Sequence, residues 1–197
     1  MRRLFAAMAP LRGAIGSDKE LEHVKTTYSI KRNAINQIKQ ALRRSLSDPL
    51  YETTMKPWSE IKHEFEADGS LRDIYVENIE PETWDQFIAE IKGSKYEIDF
   101  YHGDVKLELP ESLFLIKRLQ ETDPTILCIW LPEKIQINCH FFVETEIELD
   151  VSPRDIQNEN AYLQLLKFQE WLSKSMKKEV KLTHEGAQEL IILSVFA

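Results

Sequence analysis

The most regular pattern in the chain is an alternation of apolar and polar residues from Ile135 to Val151. Odd-numbered positions are mostly apolar, whereas even-numbered positions mostly hold amides, a histidine and carboxylates. Successive side chains of a strand point to opposite faces, so the pattern predicts one core face and one polar face. A single strand of this length would span about 56 Å, well beyond the usual strand. We therefore expect a bend, a bulge or a turn into a second strand near Glu144.

In most of the remaining chain, the apolar residues repeat either every second position, as in a strand, or every three to four positions, as in a helix. Alternation or continuous apolar runs predict strands at 71–77, 96–109 (a hairpin), 125–131, 179–183 and 189–196. Apolar residues three and four positions apart predict helices at 81–92, 111–123 and 158–178. Together they predict an α+β domain with a mostly antiparallel sheet of about six or seven strands and helices covering one face.

Residues 17–50 are predicted to form a basic amphipathic helix that is separate from the sheet domain. Ser17 is a good N-cap, the apolar positions follow steps of three, four and seven, and Pro49 ends the helix. Residues 1–16 contain three arginines and no acidic residue, and we interpret them as a flexible N-terminus, with a targeting peptide as the alternative. An acidic α+β domain over 56–197 completes the chain.

Charge is distributed unevenly between these parts. Residues 1–50 carry ten basic and four acidic side chains, a net charge of +6, whereas residues 51–197 carry 15 basic and 29 acidic side chains, a net charge of −14. An acidic body repels nucleic acid and anionic lipid and attracts basic proteins. We therefore expect a basic protein partner, and nucleic-acid binding only through the basic helix. A homodimer through residues 18–47 is a further alternative.

The composition indicates a soluble globular protein of the cytoplasm. Hydrophobic residues make up 43% of the chain and charged residues 29%, which is typical of a folded domain. No apolar window is long enough for a membrane span. Two cysteines, Cys128 and Cys139, are too few for a disulfide framework and lack the spacing of a zinc site, so a reducing compartment is expected.

Cys139 and His140 are adjacent in sequence and resemble a pair of metal ligands. The alternation separates them, because it sends Cys139 into the core and leaves His140 on the polar face. In one strand, the glutamates of that face would form a carboxylate row with a spacing of about 7 Å. The predicted partner-binding residues are those of the polar face: His140, Phe142, Glu144, Glu146, Glu148 and Asp150.

The second cysteine is predicted to lie on the same core face. A two-residue loop at Pro132-Glu133 would place Cys128 opposite Ile137, so that Cys139 becomes its diagonal neighbour. We expect two reduced thiols rather than a disulfide.

Three interpretations of the polar face stay open: a solvated strand face, a recognition surface for a basic partner, and a metal or acid–base site. Metal ligation needs oxygen ligands that converge on one point, so other segments would have to contribute, with His102, Asp104 and His184 as candidates. No nucleotide-binding, zinc-protease or serine-hydrolase motif is present. We therefore assign no catalytic residue, cofactor or metal ligand.

An acidic body of this size, with few glycines and no catalytic signature, resembles the bacterial inhibitor or immunity proteins that neutralise a cationic enzyme. The resemblance is one of charge and class and covers no specific residues. It implies a non-enzymatic protein-binding domain that presents an acidic strand face to a basic partner. The alternative is a metal-dependent hydrolase that uses His140 and nearby carboxylates.

Overall fold

The computed structural model describes residues 56–197. The predicted flexible N-terminus at 1–16, the basic helix at 17–50 and any homodimer through residues 18–47 lie outside the described residues. Within 56–197, no helix combines the length and the apolar character that crossing a bilayer requires.

Four α-helices and eight strands follow one another in the described part of the chain, together with three 3₁₀ turns. A short helix α1 (Trp58–Ile61) runs into a 3₁₀ turn (Lys62–Phe65). The elements after it are β1 (Arg72–Val76), α2 (Pro81–Lys92), β2 (Glu97–His102), β3 (Val105–Leu107), α3 (Leu113–Gln120), β4 (Thr125–Leu131), β5 (Ile135–Cys139), β6 (Ile147–Val151), α4 (Glu159–Met176), β7 (Val180–His184) and β8 (Ala187–Val195). The predicted α+β class is confirmed.

The strands form one sheet in the order β3-β2-β4-β5-β6-β1-β7-β8, and every pairing is antiparallel. There are eight strands rather than six or seven, because the alternating segment from Ile135 to Val151 forms two of them. β4 lies between β2 and β5, and five of its seven residues are buried, as expected for a strand with an apolar residue at nearly every position.

Helix boundaries follow local sequence signals. Pro81 occupies the first position of α2, where the missing N–H removes no hydrogen bond. The Asn158 side chain caps α4 by accepting from the backbone N–H groups of Asn160 and Ala161. α4 ends at Lys177, which adopts a left-handed conformation (φ 53°).

The hydrophobic core lies between the helices and one face of the sheet. Strand residues such as Leu127, Ile137 and Leu149 share a single apolar cluster with Trp84 of α2 and Phe168 of α4. The neighbouring strand positions point away from this cluster, because side chains alternate between faces. The face that they form, here called the helix-free face, carries Asp73, Tyr75, Cys128, Asn138, Glu148 and Asp150.

Candidate functional site

The alternating segment from Ile135 to Val151 turns back on itself and forms two strands, which is one of the alternatives expected near Glu144. β5 and β6 pair so that Asn138 faces Asp150 and Cys139 faces Leu149, and residues 140–146 connect them. The alternation holds inside both strands and fails in the connection, where Val143 is 42% exposed although its odd number predicts burial.

Two anchors and one unusual backbone angle fix this connection. Phe141 has φ 56°, in the left-handed region, and its ring is fully buried. The Lys117 ammonium donates to the carbonyls of Phe141 at 2.5 Å and Phe142 at 2.9 Å. The Trp84 indole N–H donates to the Val143 carbonyl at 3.1 Å. The connection is therefore held from α2 and α3, and its exposed side chains are presented from an anchored backbone.

The predicted carboxylate row on one strand is wrong. Glu144 and Glu146 lie in the connection, whereas Glu148 and Asp150 lie on the helix-free face of β6. Glu144 is exposed, and Glu146 accepts hydrogen bonds from the Gln188 side chain at 3.1 and 3.2 Å. The row fails because the connection interrupts the strand before Ile147.

His140, Phe142 and Asp150 come together, whereas the alternation predicted only that they share a polar face. The His140 Nε2 atom lies 3.3 Å from the Asp150 carboxylate, and the Asn138 amide donates to the other oxygen of Asp150 at 2.8 Å. The Phe142 ring stacks on the imidazole with centroids 5.1 Å apart and an interplanar angle of 16°. Phe142 is 59% exposed, so this ring stack is open to a partner on its outer side.

Two residues that the sequence analysis missed complete the site. β1 pairs with β6 so that Asp73 faces Asp150 and Tyr75 faces Glu148. Asp73 is 4% exposed, and its carboxylate accepts from the Tyr75 hydroxyl at 3.1 Å. The alternation within β1 marks both as non-core positions, but the pairing of β1 with β6 is not visible in the sequence. We call Asp73, Glu148 and Asp150 the acidic cluster.

Burial and mutual repulsion act together on this cluster. Burial raises the pKa of Asp73, and the charges of Asp150 and Glu185 raise it further, against the hydrogen bonds from Gly186 and Tyr75. Burial and the Asp73 charge likewise raise the pKa of Glu148. Burial, with the charges of Asp73 and Glu148, raises the pKa of the Tyr75 hydroxyl. The cluster therefore carries like charges that water screens only in part.

Part of the β7–β8 hairpin folds over this cluster. Thr183 pairs with Ile191, but His184 pairs with Ala187, which leaves residues 188–190 out of register. We call residues 185–190 the arch. The Gly186 N–H donates to Asp73 at 2.7 Å, and the Gln188 amide donates to Glu146.

The position of these two acceptors shows where the arch runs. Asp73 belongs to β1, and Glu146 directly precedes β6, which is three places from β8 in the sheet. Three strand spacings amount to about 14 Å, so the arch bends inward from β8 over the helix-free face to bring the Gln188 amide to Glu146. This bend accounts for the burial of Asp73 on a face that no helix of residues 56–197 covers.

Within residues 56–197, no basic side chain forms an ion pair with Asp73 or Glu148. Asp150 has one such partner in this range, His140. The two lysines of the helix-free face, Lys106 and Lys181, bind Asp99 and Glu77 instead. Arg72, the neighbour of Asp73, points to the opposite face, where its guanidinium donates to Glu64, Ser70, Leu71 and Asp68. The acidic cluster is thus without a Lys or Arg counter-charge in the described part of the chain.

The two thiols lie on opposite faces of the sheet. Cys139 is fully buried in the core, as predicted, but Cys128 pairs with Asn138 and faces the helix-free side. The prediction that they share a face is wrong because the loop between β4 and β5 has three residues, 132–134, with positive φ at Glu133 and Lys134. Both thiols are free, and burial raises the pKa of each, so neither is an activated nucleophile.

The residues proposed as additional metal ligands do not converge with His140. His102 contacts the Leu119 carbonyl and the Thr122 hydroxyl at 3.0 Å, His184 lies 3.2 Å from Glu64, and Asp104 is in an exposed turn. Across residues 56–197, no group of three or more His, Cys, Asp or Glu side chains has a geometry that would hold a metal ion. The metal-dependent alternative gains no support from this part of the molecule.

Comparison of the chain with protein-family models, with curated proteins and with solved structures gives no match.

Proposed function

We propose that residues 56–197 form a non-enzymatic protein-binding domain whose helix-free face receives a basic partner. The observation that carries this proposal is the acidic cluster, in which Asp73 faces Asp150 across two strands without a Lys or Arg beside either one in residues 56–197. Like charges directly opposite each other destabilise a sheet. Their presence therefore favours a role in binding a partner over a role in folding.

A basic side chain from a partner would supply the missing counter-charge. At about 4 Å from a carboxylate, one cation contributes an attraction of about 4 kcal/mol at an effective dielectric constant of about 20, before its desolvation is subtracted. The net negative charge of the domain would also speed the encounter, because long-range attraction raises association rates.

Phe142 offers an apolar anchor beside these charges. Its ring is 59% exposed, rests on His140 and follows a backbone that Lys117 holds in place. An open cleft of about 320 Å³ adjoins both rings and is lined by Gln120, Thr122, Asp123, Pro124, Thr125 and Phe141 as well. Exposed aromatic residues on a fixed backbone lose little conformational entropy on binding, which is typical of residues that dominate binding energy.

The class of protein and its compartment are proposed from the acidic charge of the domain. A bacterial inhibitor or immunity-type protein of the cytoplasm would have this acidic character, and it would use the cluster to bind a cationic enzyme. His140, Phe142, Glu146, Glu148 and Asp150 remain the proposed contact residues, together with Asp73. Glu144 is exposed at the border of the same surface.

The proposal is tested by comparing charge reversal at two places. One full-length variant carries Glu146→Lys and Glu148→Lys, and the matched control carries Glu82→Lys and Glu90→Lys on the exposed side of α2. Each tagged protein is used to capture partners from a lysate of the source cells, after circular dichroism has shown that all three are folded.

The expected result is a basic protein that the wild type and the α2 control retain and the face variant loses. Because both variants change net charge equally, a loss confined to the face variant assigns binding to the helix-free face. Equal capture by all three proteins, or loss in both variants, contradicts the proposal, and so does the absence of any specific partner.

A further inference from the structure

The sheet ends in two edge strands, β3 and β8. Within residues 56–197, β8 pairs only with β7, so its outer backbone N–H and C=O groups face away from the sheet. Such an edge is a template for another strand unless the protein protects it. The two edges of this sheet differ in that protection.

β3 is protected by its length and its composition. It has three residues, includes Lys106 and is followed by Pro110, all of which discourage strand addition. β8 has nine residues, no proline, no lysine and one formal charge, Glu189.

β8 also exposes apolar side chains near its edge. Leu190 is 54% exposed, Ile191 is 49% exposed, and Phe196, directly after the strand, is 66% exposed. The part of β8 that stays beside β7 runs from Ile191 to Val195, with one extra residue between Ile191 and Leu193. This five-residue stretch is the free edge that a further strand could extend.

We propose that this edge of β8 pairs with β8 of a second copy of the chain, in antiparallel orientation about a two-fold axis. Each copy offers only one unprotected edge among the described strands, so a two-fold pairing uses both edges and closes the assembly as a dimer. A basic partner is not the expected occupant here, because the free edge itself carries no charge.

The charges at the two ends of β8 fit this orientation. Glu185 and Glu189 are exposed at its beginning, whereas Lys177, Lys178 and Glu179, with a net charge of +1, precede Val180, the residue that pairs with Val195 at its end. Antiparallel pairing centred on Leu193 would place Ile191 of one copy opposite Val195 of the other, so the arch of one copy, which carries Glu185 and Glu189, would come near the end of β8 in the other.

The lysine end of β7 in the second copy would then lie two strand spacings away, about 10 Å. That separation is within reach of long side chains and close to the screening length at physiological salt. The acidic arch of each copy would therefore lie near the end of β8 in the other copy, where Lys177 and Lys178 outweigh Glu179 by one positive charge. A parallel arrangement would instead bring the acidic ends together.

This dimer does not depend on the proposed function, because the edge of β8 and the acidic cluster are different surfaces. The test uses the full chain, measured by light scattering and sedimentation over a wide range of concentration. The variant is Ile191→Lys, which places an ammonium group on the helix-free face of the edge strand, where it would oppose Val195 of the second copy. The matched control is Val105→Lys, which makes the same change at an exposed valine of the opposite edge strand.

The expected result is a mass that rises to twice the monomer value for the wild type and for Val105→Lys, while Ile191→Lys stays monomeric at every concentration. A wild type that is monomeric throughout overturns the proposal. So does a dimer that Ile191→Lys retains, because it would then form through another surface, such as the predicted helix at 18–47.

A measurement on the wild type alone covers the case in which Ile191→Lys does not fold. Hydrogen exchange at residues 191–195 should slow as the protein is concentrated, since the outer amides become paired. Exchange that is independent of concentration at these residues contradicts the dimer.

Discussion

Asp73 and Asp150 face each other across β1 and β6, on a sheet face where no Lys or Arg of residues 56–197 pairs with either carboxylate. Asp73 is held by the Gly186 N–H and the Tyr75 hydroxyl, and Asp150 by Asn138 and His140. These donors bind each carboxylate separately, and none of them is a Lys or Arg that would offset the repulsion between the two carboxylates. The fold thus maintains a concentration of negative charge that it does not neutralise with its own described side chains.

This arrangement predicts that removing one charge stabilises the isolated domain. Glu148→Gln keeps the size of the side chain, while it relieves the repulsion from Asp73. We expect the free energy of unfolding at neutral pH to rise by about 0.5 kcal/mol, the order found for partly exposed charge pairs. Urea unfolding measures it, with Glu90→Gln on α2 as a control expected to change little.

The same repulsion predicts a direction for the pH dependence. The folded pKa values of Asp73 and Glu148 lie above the ordinary values of 3.8 and 4.5. The folded state therefore binds protons more readily than the unfolded state, and these groups favour folding at low pH and lose that contribution as pH rises through the raised values. The advantage of Glu148→Gln over the wild type should shrink as the pH falls from neutral toward 4.5. An advantage that grows on acidification would show the sign to be wrong.

A further prediction concerns the arch over the acidic cluster. Gln188→Ala removes the hydrogen bonds to Glu146, and we expect a loss of about 1 kcal/mol in stability. Exchange of the Gly186 amide should also become faster, because the arch is then fixed to the face mainly by its bond to Asp73. Gln86→Ala, which removes a side-chain amide bond to the Ser175 carbonyl elsewhere, is the control. If Gly186 exchanges equally in both variants, the two contacts of the arch are not coupled.

The sequence alone predicted the parts of the site that depend on local periodicity. Within β5 the alternation placed Cys139 in the core and His140 on the polar face, and it grouped His140 with Asp150. Such placement needs only the two-residue repeat of a strand. Val143 was misplaced because the left-handed backbone at Phe141 breaks that repeat, and a phenylalanine gives no sequence signal for positive φ.

The parts that depend on long-range register could not be predicted. Asp73 and Asp150 are far apart in the sequence, and nothing local to either one identifies β1 as the neighbour of β6. The face of Cys128 was missed for a related reason, since one additional loop residue shifts the pairing of β4 with β5 and turns every side chain to the other face. The arch was missed because it arises from a register shift in β8.

The connection between β5 and β6 depends on Lys117. Replacing it by methionine keeps the aliphatic contacts and removes two charge-assisted hydrogen bonds to the carbonyls of Phe141 and Phe142. We expect a loss of about 2 kcal/mol in stability and a weaker ring-current effect of Phe142 on His140, measured by NMR. Arg118→Met is the matched control, because its ion pair with Glu121 is exposed and 3.7 Å long. Equal effects from the two substitutions would mean that Lys117 does not order the connection.

The opposite orientations of the two thiols predict different responses to the same substitution. Cys139→Ser buries a polar hydroxyl in the apolar core, which costs about 1–3 kcal/mol. Cys128→Ser places it on the helix-free face, within reach of the Gln136 amide, which lies 3.4 Å from the sulfur. We expect Cys128→Ser to change the free energy of unfolding by less than about 1 kcal/mol, because the new hydroxyl finds a partner. Urea unfolding of both variants measures the difference. Similar losses would place both cysteines in equally apolar surroundings, contrary to the register of β4 and β5.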